Sequence, residues 1–242
     1  MAAAPEHPLR WLSDRARRAP DSAAVLGPSE TLTHAQLLDN LGGWSRLMRA
    51  AGLDREKPVA VVTRHRSRLA RAIWLALHDG VPLLTVDPSQ TQAGSLMRQC
   101  GVEQAIADAD LALPEGIRRL PARPLDRPAG GSRNEATPMD VDKPQLLVPT
   151  SGTEGTPRAV MLTCRNIASA AFATNRMLGL QRDDCWLCCL PLTHVAGIMI
   201  LMRCAAAGAG VCLQEGFDPR QVADAMVGQS VSHISLVPAM LH

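Results

Sequence analysis

Between residues 59 and 107 the chain alternates short apolar, β-branched runs with segments of helical period. Residues 59–63 read as a strand and 69–78 as a helix. Residues 81–86 read as a strand closed by Asp87-Pro88, 91–100 as a helix and 103–107 as a strand. Such runs are too short for helices but suit strands buried on both faces. A parallel pair of strands needs a crossover of about a dozen residues, which a helix fills. The rhythm predicts an α/β fold with helices over a mainly parallel sheet.

The flanks extend the pattern. Residues 9–18 form an amphipathic helix that stops before Pro20. Residues 34–51 form a longer one, with Thr33 as its N-cap. Leu37, Leu38, Leu41, Trp44 and Leu47 recur at helical spacing, although Gly42 and Gly43 weaken this helix. Downstream come strands at 145–148 and 159–162, a helix from Thr163 to Met177 and a strand at 185–190. A helix at 194–207, a strand at 210–213, a helix capped by Asp218 and a strand at 232–236 follow. Residues 113–144 differ. They carry Pro114, Pro121, Pro124, Pro128, Pro138 and Pro144 around Gly130-Gly131, and read as a long exposed connection.

Composition removes several function classes. Twenty-five Lys plus Arg against 23 Asp plus Glu leave a net charge of +2, too little for a dedicated nucleic-acid binder. With no Tyr and two Phe, base stacking is poorly supplied. No apolar run approaches the roughly 20 residues that span a bilayer. Pro5, Glu6, His7 and Pro8 stand where a signal peptide would be apolar, so a cytoplasmic protein without membrane or nucleic-acid partners is expected. Seven cysteines, an odd number, do not suggest a disulfide framework.

The most informative segment is Leu147-Val148-Pro149-Thr150-Ser151-Gly152-Thr153-Glu154-Gly155-Thr156-Pro157-Arg158. Here a strand enters a loop crowded with hydroxyls and glycines. Glycine lets backbone N–H groups face an anion unobstructed, and hydroxyls can reach phosphate oxygens or their Mg²⁺. Arg158 adds a fixed positive charge. The Gly-Lys-Ser/Thr ending of a Walker A loop is absent. The same composition also suits a flexible surface turn.

All twelve positions resemble the phosphate-binding signature of the adenylate-forming superfamily, which includes acyl-CoA synthetases and peptide-synthetase adenylation domains. Arg158 stands where Lys is commoner and Glu154 where Thr is commoner. Downstream, Leu190-Pro191-Leu192-Thr193-His194-Val195-Ala196-Gly197 resembles the family's next motif, in which the residue at the His194 position borders the acyl pocket. Alone, His194 reads as a structural histidine at a helix start. Thr31-Leu32-Thr33 and residues 80–88 agree more loosely. Residues 191–201, 208–213, Phe217-Asp218 and 232–241 look most like o-succinylbenzoate–CoA ligases of menaquinone synthesis.

The resemblance implies the truncated N-terminal domain of an adenylate-forming enzyme over residues 1–242, with two helix-covered, mainly parallel sheets sharing the chain. Residues 59–190 should build one sheet; the N-terminal region and the stretch after Gly208 should contribute to the other. It implies an acid–CoA ligase using ATP, Mg²⁺ and CoA on a small carboxylate. Thr150, Ser151, Gly152, Thr153, Glu154, Gly155, Thr156 and Arg158 would bind the nucleotide phosphates, Thr153 would meet the metal, and His194 would serve the reaction. The adenine and ribose motifs and the C-terminal domain with its lysine have no counterpart here. The competing reading is therefore an incomplete remnant or one half of a split enzyme, completed by a second polypeptide or self-associated.

Two other features admit functional readings. Cys185-x-x-Cys188 suggests redox or zinc chemistry, but its apolar surroundings read as a buried strand. Arg64, His65, Arg66, Arg68 and Arg71 suggest a phosphate or CoA patch, with a solvated helix face as the favoured reading. Met97, Met177, Met199, Met202, Met226 and Met240 read as core filler.

Overall fold

A computed structural model of the chain describes residues 8–27, 30–129, 140–150 and 158–241. In chain order the elements are α1 (Pro8–Arg18), β1 (Ala23–Leu26), β2 (Thr31–Thr33), α2 (His34–Ala50), β3 (Val59–Val62), α3 (Arg66–Asp79), β4 (Leu83–Val86), α4 (Ala93–Gln99) and β5 (Gln104–Ala107). Then come β6 (Arg118–Pro121), β7 (Pro144–Thr150), β8 (Arg158–Thr163), α5 (Cys164–Leu178), β9 (Cys185–Cys188), α6 (Val195–Ala207), β10 (Gly210–Leu213), α7 (Pro219–Gly228) and β11 (His233–Ile234). They fall into two compact units, Met1–Leu38 with Arg165–His242, and Asp39–Cys164.

The central unit holds a six-stranded sheet in the order β6-β5-β3-β4-β7-β8, parallel except for the β7–β8 pair. β3, β4 and β5 are buried along their whole length, which explains their unbroken apolar runs. Ala60, Leu84, Val86, Leu96, Met97 and Ala105 pack together under α4. The terminal unit holds a five-stranded sheet, β11-β9-β10-β1-β2, in which only β1–β2 is antiparallel. β1 joins β10 in parallel, Val25 opposite Val211. The expected α/β architecture with two mainly parallel sheets is therefore present. Local signals act as read for α7: Asp218 accepts hydrogen bonds from the Arg220 and Gln221 N–H groups at 2.9 Å, and Pro219 follows the cap.

Four expectations need correction. First, the central sheet stops at β8, and β9 pairs with β10 and β11 in the other sheet. Second, the supposed exposed connection 113–144 contains β6 and a 3-10 turn at Arg123–Asp126, and buries Leu120 and Leu125 completely. Residues 122–129 lie as a strap over α2 and α3. Trp44 Nε1 donates to the Arg127 carbonyl at 2.9 Å, and the Ala129 N–H donates to Asn40 Oδ1 at 3.0 Å. A Cβ on Gly43 would stand 1.7 Å from the Ala129 carbonyl oxygen, so the glycine that weakens α2 makes room for the strap.

Third, the basic cluster is a solvated face only at Arg64 and His65. Arg66, Arg68 and Arg71 are buried. Arg68 grips Asp126 through Nε at 2.7 Å and Nη2 at 2.6 Å, and also bonds Asp108. Arg71 donates to the Leu125 carbonyl at 2.6 Å and lies over the Trp44 ring. A planar five-donor guanidinium can be buried when carboxylates and carbonyls meet its fork. Fourth, Met177 and Met226 are exposed, at 77% and 49%, because they fall on the outer faces of α5 and α7.

Candidate functional site

The register of β7 and β8 sets the ends of the hydroxyl-rich segment. Antiparallel pairing places Thr150 opposite Arg158 and Pro149 opposite Ala159. Thr150 Oγ1 donates to the Arg158 carbonyl at 3.3 Å, and both residues are exposed. Residues facing each other across such a pair have Cα atoms about 5 Å apart. The segment therefore leaves and re-enters the sheet at one point, with a hydroxyl and a guanidinium at its mouth. Ser151, Gly152, Thr153, Glu154, Gly155 and Thr156 lie outside the described residues. Gln145 anchors the root of β7: its Nε2 donates to the carbonyls of Ala76 at 3.1 Å and Val81 at 2.6 Å.

His194 belongs to the terminal unit, where it is the N-cap of α6 with an extended backbone (φ −113°, ψ 149°). Its exposed side chain makes no capping hydrogen bond. Its N–H donates to the Pro191 carbonyl at 3.2 Å, and its own carbonyl accepts from Ile198 at 3.2 Å. Gly197 permits this tight entry, since a Cβ there would lie 2.3 Å from the Pro191 carbonyl oxygen.

Nine residues along α6, about 13 Å at 1.5 Å per residue, stands a residue that sequence reasoning passed over. The Arg203 guanidinium lies over the Trp186 ring, 5.5 Å from its centroid, and the His233 ring sits 5.3 Å from the same centroid. Arg203 has no ion pair among the described residues. Its Nε, the Trp186 Nε1 and the Asn175 Oδ1 are buried without hydrogen-bond partners. Burial pulls the Arg203 pKa down, against a small opposing effect of Cys204. A half-buried cation without a carboxylate is open to an anion. An arginine in the otherwise apolar run 198–204 was the signal available in the sequence.

The cysteines offer no such chemistry. Cys185 and Cys188 are buried on β9 and, three residues apart on a strand, point to opposite faces. Burial pushes the Cys185 thiol up to about 11 and the Cys164 thiol up to about 12, far from thiolate reactivity. Among the described residues no cluster of His, Cys, Asp or Glu could hold a metal ion.

The sequence profile of the AMP-binding enzyme family matches residues 12–242. The chain is 31% identical over 238 residues to the 2-succinylbenzoate–CoA ligase of Geobacillus kaustophilus, covering 96% of this chain and 48% of that relative. It is 28% identical over 236 residues to the enzyme of the same name from Bacillus cereus, with the same coverage. The chain thus spans about half the length of the curated relatives it matches. Among solved structures it resembles the O-succinylbenzoate Coenzyme A Synthetase of Bacillus subtilis in complex with AMP. The TM-score is 0.85 and the identity 24%, over 96% of this chain and 62% of that one. The same synthetase with ATP and a magnesium ion gives a TM-score of 0.85 at 23% identity, over 96% and 64%.

Proposed function

The chain belongs to the AMP-binding enzyme family, and on that premise we propose that it serves an ATP-dependent acid–CoA ligase. In this reading a substrate carboxylate attacks the α-phosphate of ATP, giving acyl-adenylate and pyrophosphate, and CoA then displaces AMP. The observation that carries it is the mouth of the segment 151–157, with the Thr150 hydroxyl paired against Arg158 at the end of β7. Two strands fix that mouth, so polyphosphate would meet groups already in place. Thr150 and Arg158 fit the phosphate group by chemistry. Thr150 offers a hydroxyl donor and Arg158 a guanidinium. Ser151, Gly152, Thr153, Glu154, Gly155 and Thr156 complete the set, with Thr153 toward Mg²⁺. His194 borders the acyl site.

The substrate class we infer is an aromatic dicarboxylate of the succinylbenzoate type, in keeping with the names of the relatives. A second carboxylate calls for a fixed cation, and within the terminal unit Arg203 has no ion pair among the described residues. The setting is cytoplasmic, where ATP and CoA are supplied. The half-length match favours a second reading for the 242-residue chain by itself: binding without efficient turnover, until a polypeptide corresponding to the remaining half of the relatives completes it. Carboxylate-dependent ATP–pyrophosphate exchange tests both readings, with o-succinylbenzoate as substrate. We expect very weak exchange from the chain alone, recovery with a separately expressed second half, and loss on Thr150→Ala with Ser151→Ala. Full recovered activity in that double variant would refute the assignment of the segment.

A further inference from the structure

Among the described residues, the central sheet closes one edge and leaves the other without a further strand. At the β6 edge, Pro121 removes a donor, and Arg118 and Arg119 fold back onto backbone carbonyls, Arg118 on Ala51 at 3.2 Å and Arg119 on Asp108 and Leu111. Charge and proline are the usual means of blunting an edge. At the β8 edge Arg158 opens the strand, but the stretch Ala159-Val160-Met161-Leu162 that follows has neither. Val160 is 49% exposed and Met161 63% exposed.

We propose that this edge is an interface between two copies of the chain, joined by antiparallel pairing of β8 with its symmetry mate about a two-fold axis through Met161. Facing residues in an antiparallel pair must direct their hydrogen-bonding groups the same way, so a strand pairs with its own copy only about an axis through a residue. With the axis at Met161, Met161 faces its own copy, Val160 faces Leu162 and Ala159 faces Thr163. Every facing pair is then uncharged, and the two large exposed side chains cover apolar partners. An axis at Val160 would instead set Arg158 against Leu162. The self-complementarity of these residues selects a second copy over an unrelated strand, and the two six-stranded sheets become one of twelve.

Sedimentation velocity on the purified chain over a concentration series tests this. The expected result is a reversible dimer. Met161→Lys places two ammonium groups on the axis and should weaken association by about 10-fold or more. Met226→Lys on the exposed face of α7 should leave it unchanged. An unaltered melting temperature for Met161→Lys at dilution shows that the fold is retained. A monomer at every concentration overturns the proposal, as does a dimer that Met161→Lys leaves intact. A complex with a separately expressed second half that replaces the dimer and needs Met161 would also overturn it, by giving the edge to that occupant. Since none of these readouts is catalytic, the proposal stands or falls apart from the ligase reading.

Discussion

Replacing Gly43 by alanine separates helix propensity from close packing. On an exposed helix the change should stabilise by about 1 kcal/mol. In α2 the new Cβ would stand 1.7 Å from the Ala129 carbonyl oxygen, and 2.5 Å from both its carbonyl carbon and its Cβ. No flexible side chain can yield there, so the strap must lift. Two hydrogen bonds then go, Trp44 Nε1 to Arg127 and Ala129 to Asn40. Each contributes about 1 kcal/mol net, and overpacking adds about 1–3 kcal/mol. After subtracting the propensity gain, the expected loss is about 2–4 kcal/mol, a fall in Tm of about 4–16 °C for a chain of this size. Gly228→Ala at the end of α7, with nothing within 4 Å, is the matched control and should be neutral or slightly stabilising. Urea unfolding followed by circular dichroism measures both. Equal stability of the two variants would refute the argument that Gly43 is there for the strap.

Asp79 is fully buried, accepts Ser45 Oγ at 2.7 and 2.8 Å, and meets His78 Nδ1 at 2.9 Å. Asp79→Ala should cost about 3 kcal/mol in urea unfolding by stranding those partners. Burial raises the Asp79 carboxyl, but His78, Ser45 and Arg49 outweigh it and hold it below the usual range; burial likewise raises Asp108, which the Arg64 N–H, Thr63 and Arg68 bring down. Their contribution to stability should therefore be complete above about pH 4 and drain away as pH falls through the lowered folded values, and Asp79→Ala should flatten that acid limb. Arg203→Met, which keeps the bulk over Trp186, should weaken o-succinylbenzoate affinity about 10-fold or more by calorimetry while leaving ATP affinity unchanged. Under native conditions a thiol reagent should modify Cys100, the one cysteine that is not buried, and reach the other six only on unfolding.

Local chemistry in the sequence determined most of the elements, but not β1 or β6. Periodicity, Asp218 before Pro219, and short apolar runs bounded by turns mark α7, β3, β4, β5 and β10 within a residue or two, because caps and burial patterns act over a few neighbours. The hydroxyl-rich segment was equally legible, being contiguous in the chain. Tertiary structure decided which strands pair. Val25 meets Val211, and β9 leaves the sheet of β8, through contacts between residues far apart in the chain that no local pattern encodes. It also decided the fate of charge. On α3, Arg68 reads as solvated until Asp126 and Asp108 converge on it, and Arg71 until the Leu125 carbonyl meets it, while Arg203 reads as one cation in an apolar helix until the fold leaves it without an ion pair among the described residues. The physical reason is the same throughout. A strand's partner and a buried charge's partner both come from elsewhere in the chain, and only the packed core brings them together.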